Sequence, residues 1–346
     1  MQSSMNRPVF VVGSPRSGTS ILTWCLGQHP NIFPVPESNW MGDFAVNVAI
    51  GYRIGAARGE RSILSAMEIR EDELFAALGQ SIHELIISHR TDLERKRQGA
   101  VTASEAKGGW FQARSSASEP KNRWVDGTPE YSMYICGLRK LFPNARFIHI
   151  FRDVRAVVRS MLNFHRVAGT QLVSDEESAY KYWLRTVKAC VQAEQAYGPN
   201  VVCRVRYTDL VDNPEPAIRS LLDFLEERYD PKCLEPLAER INSSKVPADF
   251  EFDGPAADPA IVEKARRLCA NVNATPQPRH GLCAATDEME GTFRERVKYM
   301  AAIDGAYQKS RQIIKALNQS GLPLYLITQA ALAIADPCGT VLSQLS

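Results

Sequence analysis

The segment Gly13-Ser-Pro-Arg-Ser-Gly18-Thr19-Ser20 sets two glycines five positions apart, the G-x4-G spacing with which a loop wraps an oxyanion. Where such a loop opens a helix, backbone N–H groups and the positive end of the helix dipole converge on one point, so a phosphate or sulfate is the expected ligand. A loop built for a magnesium nucleotide carries Lys and then Ser or Thr after its second glycine. Here Thr19 and Ser20 follow Gly18 directly, and the cation is Arg16. A second cation closes the apolar run Phe147-Ile-His-Ile-Phe151. Magnesium-dependent enzymes of this kind end a core strand in Asp, whereas this chain has Arg152, which attracts a phosphate and repels a metal ion. Asp153 beside it is expected to cap the helix that follows.

Such residues work only if strand ends bring them together. Pro8-Val-Phe-Val-Val-Gly13 reads as a strand buried on both faces, followed by the loop and a helix over residues 19–28. Residues 146–151 form a second strand, with an arginine-dotted helix to about residue 164. Between them, 123–126 is a short strand and 130–142 a helix. Ser174-Asp-Glu-Glu177 has the S-x-x-E spacing of a capping box for a helix reaching residue 197. A strand over 201–205 and a helix opening at Pro214 complete the alternation. The apolar positions Leu74, Leu78, Ile82, Leu85, Ile86 and Leu93 recur at three- and four-residue steps, which makes 71–97 a helical insertion. Residues 99–122 read as a loop, and the chain after 242 as loops until a last helix over 293–317. The expectation is an α/β fold with a mainly parallel sheet that binds ligands at the carboxyl ends of its strands. It is taken as one domain: a core over 8–226, an insertion over 39–122 and a loop-rich C-terminal region over 242–346.

Composition narrows the partners. The 346 residues are 45% hydrophobic and 23% charged, with a formal charge of +2, so no global field favours nucleic acid or an anionic membrane. The eight cysteines show neither CxxC pairs nor zinc-ligand spacing and are expected to be buried free thiols. The apolar stretch 322–335 is too short to span a bilayer, and the polar start is too short for a signal peptide, so a cytoplasmic location is expected.

Phe10-Val-Val-Gly-Ser-Pro-Arg-Ser-Gly-Thr-Ser20 together with Phe147-Ile-His-Ile-Phe-Arg-Asp153 resembles the sulfotransferase superfamily, with the look of its tyrosylprotein and bacterial branch. Leu141-Phe-Pro-Asn-Ala-Arg-Phe147 is similar to the family's lead-in to the second strand, and Tyr207-Thr-Asp-Leu210 to its Y-E-D-L segment. His29-Pro-Asn-Ile-Phe-Pro-Val-Pro-Glu37 resembles the H-P-x7-E stretch of the tyrosylprotein branch. The resemblance implies a P-loop-like three-layer fold and a metal-independent, in-line sulfuryl transfer. The donor it implies is 3′-phosphoadenosine 5′-phosphosulfate, and the product 3′,5′-adenosine bisphosphate. It further implies that Arg16, Ser17, Gly18, Thr19 and Ser20 clasp the 5′-phosphosulfate, that Arg152 and Ser160 take the 3′-phosphate, that Tyr207 lies near the adenine, and that Glu37 is the base.

Two departures matter. Many cytosolic members carry Lys where this chain has Arg16, and heparan-type relatives carry a Lys in the segment that reads Asp126-Gly127-Thr128-Pro129 here, which disfavours a heparan-type substrate. A small molecule, carbohydrate, lipid or peptide remains as acceptor. The competing readings are a P-loop kinase or nucleotidase using Mg-ATP and an inactive nucleotide-binding protein. His149 is read as a core histidine, and Arg155 and Arg159 as solvated or salt-bridged rather than ligating.

Overall fold

The computed structural model describes residues 6–99, 122–238, 246, 250, 252 and 254–319. In chain order the strands are β1 (Val9–Val12), β2 (Ile32–Pro34), β3 (Arg123–Asp126), β4 (Arg146–Phe151) and β5 (Val202–Arg206). The helices are α1 (Thr19–Gly27), α2 (Met41–Ala56), α3 (Ile63–Ala66), α4 (Glu71–Gly99), α5 (Ile135–Leu141), α6 (Val154–Leu162), α7 (His165–Ala168), α8 (Glu176–Tyr197), α9 (Tyr207–Asp212), α10 (Pro214–Leu225), α11 (Glu235–Ala238), α12 (Pro259–Ala274) and α13 (Cys283–Gln319).

All five strands pair in parallel in the order β2-β3-β1-β4-β5. The chain leaves β1 toward β2 on one side and later returns to place β4 and β5 on the other. The topological switch therefore lies at the carboxyl end of β1, where open α/β sheets bind their ligands. Both faces are covered. Val9 and Val11 of β1 pack with Ile21, Leu22 and Leu26 of α1 and with Ile218 and Leu222 of α10. Phe10 and Val12 point the other way, among residues of α2, α5 and α13. Alternate side chains of one four-residue strand thus build two cores, which is the three-layer P-loop-like arrangement.

The insertion helix α4 is tied to the sheet by its own side chains. Trp124 Nε1 donates to His83 Nδ1 at 3.2 Å. Burial holds the His83 pKa below its ordinary value, which favours the neutral ring that can accept this bond.

The fold differs from the sequence reading in several places. Residues 41–56 form a full helix in a part of the insertion to which the sequence reading assigns no element. Residues 130–142 are not one helix: a 3₁₀ turn over Pro129–Met133 ends at Tyr134, whose φ of −124° leaves the helical region, and α5 begins after it. The cap of α8 is Asp175 rather than Ser174; its carboxylate accepts from Ser178 N at 2.7 Å, and Ser174 donates to that same carboxylate. Among the described residues of the C-terminal region, 259–274 and 283–319 are helical where loops were expected before residue 293. Asp258 caps α12 by accepting from Ala260 N, and Pro259 sits in the first turn, where its missing N–H costs nothing. Ala265, Cys269 and Val272 then bury one face against Trp183 and its neighbours. The last helix starts at Cys283, ten residues before the expected Phe293. Of the seven described cysteines, all free, five are buried, Cys203 is half-buried and Cys283 is exposed. Residues 100–121, 322–335 and Cys338 lie outside the described residues. Among the described residues no helix is long and apolar enough to cross a membrane.

Candidate active site

The loop between β1 and α1 is fixed from within. Ser17 donates both its N–H, at 3.0 Å, and its hydroxyl to Ser14 O. Ser17 therefore shapes the loop, and its N–H is not free for a ligand as the sequence reading expected. From the other side Ser132, on the 3₁₀ turn after β3, accepts from Gly13 N at 2.9 Å and donates to Pro129 O at 2.6 Å. Sequence reasoning missed this buttress, because nothing local marks a serine 119 positions away as a loop partner.

The start of α1 is uncapped by any side chain, and its N-cap residue Gly18 has φ 111°. That is a left-handed conformation natural to glycine. The N–H groups of Gly18, Thr19, Ser20 and Ile21 have no hydrogen-bond partner among the described residues. A nine-residue helix with bare N–H donors at its N-terminus can offer those donors and its positive dipole end to an anion.

Arg16 also sits at positive φ, 70°. Its Nε donates to Ser160 Oγ at 3.2 Å, and its guanidinium carbon lies 4.8 Å from the centroid of the Phe164 ring. Ser160 is buried on α6. From the tip of β4, Arg152 Nη1 donates to Arg16 O at 3.0 Å, and its guanidinium carbon stands 4.2 Å from the centre of the Tyr207 ring. Tyr207, at the start of α9, also backs the loop: a Cβ on Gly18 would come within 2.7 Å of its ring. Arg16, Gly18, Arg152, Ser160 and Tyr207, taken from four separate segments, form one continuous basic surface. Burial, then the nearby Arg152, hold the Arg16 pKa below its ordinary value, while Glu37 works the other way; a guanidinium remains cationic throughout. Asp153 caps α6 as expected, accepting from Arg155 N and Ala156 N. His149 is wholly buried and bonded to Glu194 at 2.6 Å, and Arg155 and Arg159 are exposed.

Glu37 reaches this surface from the loop after β2. Ser20 Oγ donates to its Oε1 at 3.3 Å. That loop is fastened to the exit of β3: Ser38 N donates to Thr128 Oγ1 at 3.0 Å, and Ser38 Oγ to Asp126 Oδ2 at 2.7 Å. Glu37 is exposed as a residue, yet its carboxyl is hemmed in enough that desolvation is the main influence on it. Its pKa is raised, first by burial and next by the charge of Glu130; Ser20 and Arg16 oppose the rise and Asp126 adds to it. A carboxylate that holds a proton more readily than usual is a better general base.

Residues 8–231, about two thirds of the chain, match the Sulfotransferase family. Protein-tyrosine sulfotransferase 1 of Danio rerio is 27% identical over 222 residues, covering 63% of this chain and 52% of that protein. Protein-tyrosine sulfotransferase 1 of Homo sapiens is 26% identical over 219 residues, covering 63% and 50%. The chain spans about half the length of these relatives. The sulfotransferase domain of the Synechococcus PCC 7002 olefin synthase superposes with a TM-score of 0.41 at 20% identity, covering 85% of this chain and 97% of that domain. The matched stretch holds all five strands, the bare start of α1, both arginines and Glu37, so the family signature and the basic surface fall on the same residues. The chain belongs to the sulfotransferase family.

Proposed function

We propose that the protein moves the sulfuryl group of 3′-phosphoadenosine 5′-phosphosulfate onto a hydroxyl or amine of an acceptor and releases 3′,5′-adenosine bisphosphate. The observation that carries this reading is the joining of two strand tips, Arg152 to Arg16 O at 3.0 Å and Arg16 to Ser160 at 3.2 Å, beside four uncommitted N–H groups. A nucleotide with phosphoryl groups on both its 5′ and 3′ sides needs two anion sites in one cleft. The residues present fit that need: backbone donors and Arg16 for the 5′ end, Arg152 and Ser160 for the 3′ end, and the Tyr207 ring for the base.

In the transfer, the bond between sulfur and the bridging phosphate oxygen breaks while one to the acceptor atom forms. Glu37 takes the proton that the acceptor loses. Arg16, the Thr19 and Ser20 hydroxyls and the N–H groups of residues 18–21 stabilise the charge that grows on the departing oxygen. Arg152 and Ser160 keep the nucleotide from sliding, which holds the reacting atoms in line. The names of the matched relatives make a protein tyrosine the first acceptor to test.

A melting experiment tests the donor. 3′,5′-Adenosine bisphosphate without added metal should raise the melting temperature, by the equivalent of about 2.7 kcal/mol at a hundredfold excess over its Kd. Mg-ATP should not, and Arg152→Ala should remove most of the effect. Stabilisation by Mg-ATP alone would overturn the reading.

A further inference from the structure

Glu130 takes no part in the roles given above. It follows Pro129 at the exit of β3, is half-buried, and accepts a hydrogen bond from Tyr182 Oη of α8 at 2.6 Å. Burial first, and then this bond, push the Tyr182 phenol far above its usual range, so it remains a donor to the carboxylate. Arg185, three residues further along α8, has its guanidinium carbon 5.1 Å from the Tyr182 ring centroid. The loop bearing Glu37 and the loop bearing Glu130 leave adjacent parallel strands, β2 and β3, and Ser38 staples them together through Thr128 and Asp126. Two carboxylates on neighbouring loops are therefore held by separate anchors, Ser20 for Glu37 and Tyr182 for Glu130.

We propose that Glu130 is a positioning residue for the transfer step: fixed by the Tyr182 hydroxyl, its negative charge makes the neighbouring Glu37 carboxylate a stronger acceptor for the proton of the incoming hydroxyl or amine. This rests on the reading of Glu37 as the base. The charged and polar groups that act most on Glu37 include Ser20 from α1, Arg16 from the loop before it, Asp126 from β3 and Glu130 from the turn after β3. Of the charged ones, Glu130 acts most strongly. Asp126, engaged by Thr128 and Ser38, adds to its effect, and Arg16, turned to Ser160 and Phe164, opposes it less strongly. The repulsion between the two carboxylates is relieved when Glu37 takes the acceptor's proton, at the moment the acceptor attacks sulfur. An interaction that improves only as the proton moves assists the reaction rather than ground-state binding.

The test is a titration of the full chain with carbon-13-labelled glutamate side chains, the Glu37 signal being the one that Glu37→Gln removes. In Glu130→Gln, which keeps an acceptor for Tyr182, the Glu37 midpoint should fall by roughly half a pH unit or more. Glu130→Asp, which keeps the charge, should stay near wild type, and unchanged melting temperatures exclude a general loosening. With the donor and a tyrosyl peptide, the acid limb of kcat should move down with the midpoint and the plateau should drop roughly two- to fivefold. An unmoved Glu37 midpoint in Glu130→Gln overturns the inference while leaving the base reading intact. Wild-type transfer by Glu37→Gln overturns the base reading, and the inference falls with it even if the midpoint moves.

Discussion

At the tips of β1 and β4 the protein presents arginines and bare backbone donors; at the tips of β2 and β3 it presents carboxylates and hydroxyls. The first side has a local frame, glycine spacing leaving the loop and the start of α1 little choice of conformation, and Arg152 and Ser160 join that frame from 136 and 144 positions away. The second side has no such local frame and is held only by partners brought together by the fold: Ser38 with Asp126 at a separation of 88, and Tyr182 with Glu130 at 52. The difference separates two tasks. A donor common to a family can be gripped by backbone geometry, while proton removal from an acceptor needs a side chain whose basicity is set by its neighbours.

The largest effect that could break this division comes from removing the charge of Glu37. Glu37→Gln should slow sulfuryl transfer by roughly 10²- to 10⁴-fold and leave binding of the nucleotide product unchanged in the same melting assay. Arg16→Ala, on the opposite side, should cost about 10²- to 10³-fold in turnover and weaken nucleotide binding as well. Equal losses of binding in both variants would erase the distinction between the two sides. There is also a stability sign to check. A carboxyl whose folded pKa is raised contributes stability only at low pH, and loses it as pH rises through that value. At neutral pH Glu37→Gln should therefore melt no lower than wild type.

A smaller effect, on stability rather than rate, sharpens the comparison from beneath the donor side. Glu194 of α8 is wholly buried and joins β4 to β5: it accepts from His149 at 2.6 Å and from Arg204 Nε at 3.0 Å, and Arg204 Nη1 reaches Val272 O at 2.9 Å. Glu194→Gln leaves buried cations without a counter-charge and should destabilise by about 3–5 kcal/mol in urea titrations. Burial pushes the Glu194 pKa up, but His149 and Arg204 outweigh it, so the value is lowered and its contribution is lost as pH falls through the acid range. Burial pushes His149 down, but Cys190 and Glu194 outweigh that, so the value is raised and its contribution is lost as pH rises above the ordinary histidine range. Stability should peak between the two limbs in wild type and vary less with pH in Glu194→Gln. An unchanged profile would remove this network from the account of what holds β4 in place.

Legibility in the sequence follows the range of each signal. The strand–loop–helix around Gly13 and Gly18, the Arg152–Asp153 step and the helix opened by Pro214 are local signals, and the structure places each of them as read. Glu37 was reached through a family resemblance, and its contact with Ser20 brings it to the basic surface. Ser132, Phe164, Glu130 and Tyr182 carry no local mark. Each matters through a partner that only the assembled sheet supplies, and a 3₁₀ turn where a helix was expected hid the positions of Ser132 and Glu130. In the C-terminal part, proline and aspartate suggested loops, yet Asp258-Pro259 is a cap followed by a first-turn proline, the same pair of types that elsewhere marks a turn.

The smallest predicted change tests whether the donor side relies on backbone conformation. Gly18 has φ 111°, and a Cβ there would meet Tyr207 Cδ2 at 2.7 Å and Ile150 Cδ1 at 3.0 Å. Gly18→Ala adds a single carbon, yet must either strain the residue or push aside the ring beneath Arg152. Strain of this kind costs about 1–3 kcal/mol. Because the displaced ring faces the arginine that the donor reading assigns to the 3′-phosphate, part of that cost should appear as weaker binding of 3′,5′-adenosine bisphosphate rather than as a lower melting temperature alone. Tyr207→Phe, which leaves the ring in place, should bind the nucleotide more nearly like wild type. A Gly18→Ala protein that binds as well as the parent would show that the anion site tolerates a reshaped loop, and that the arginines alone carry the grip.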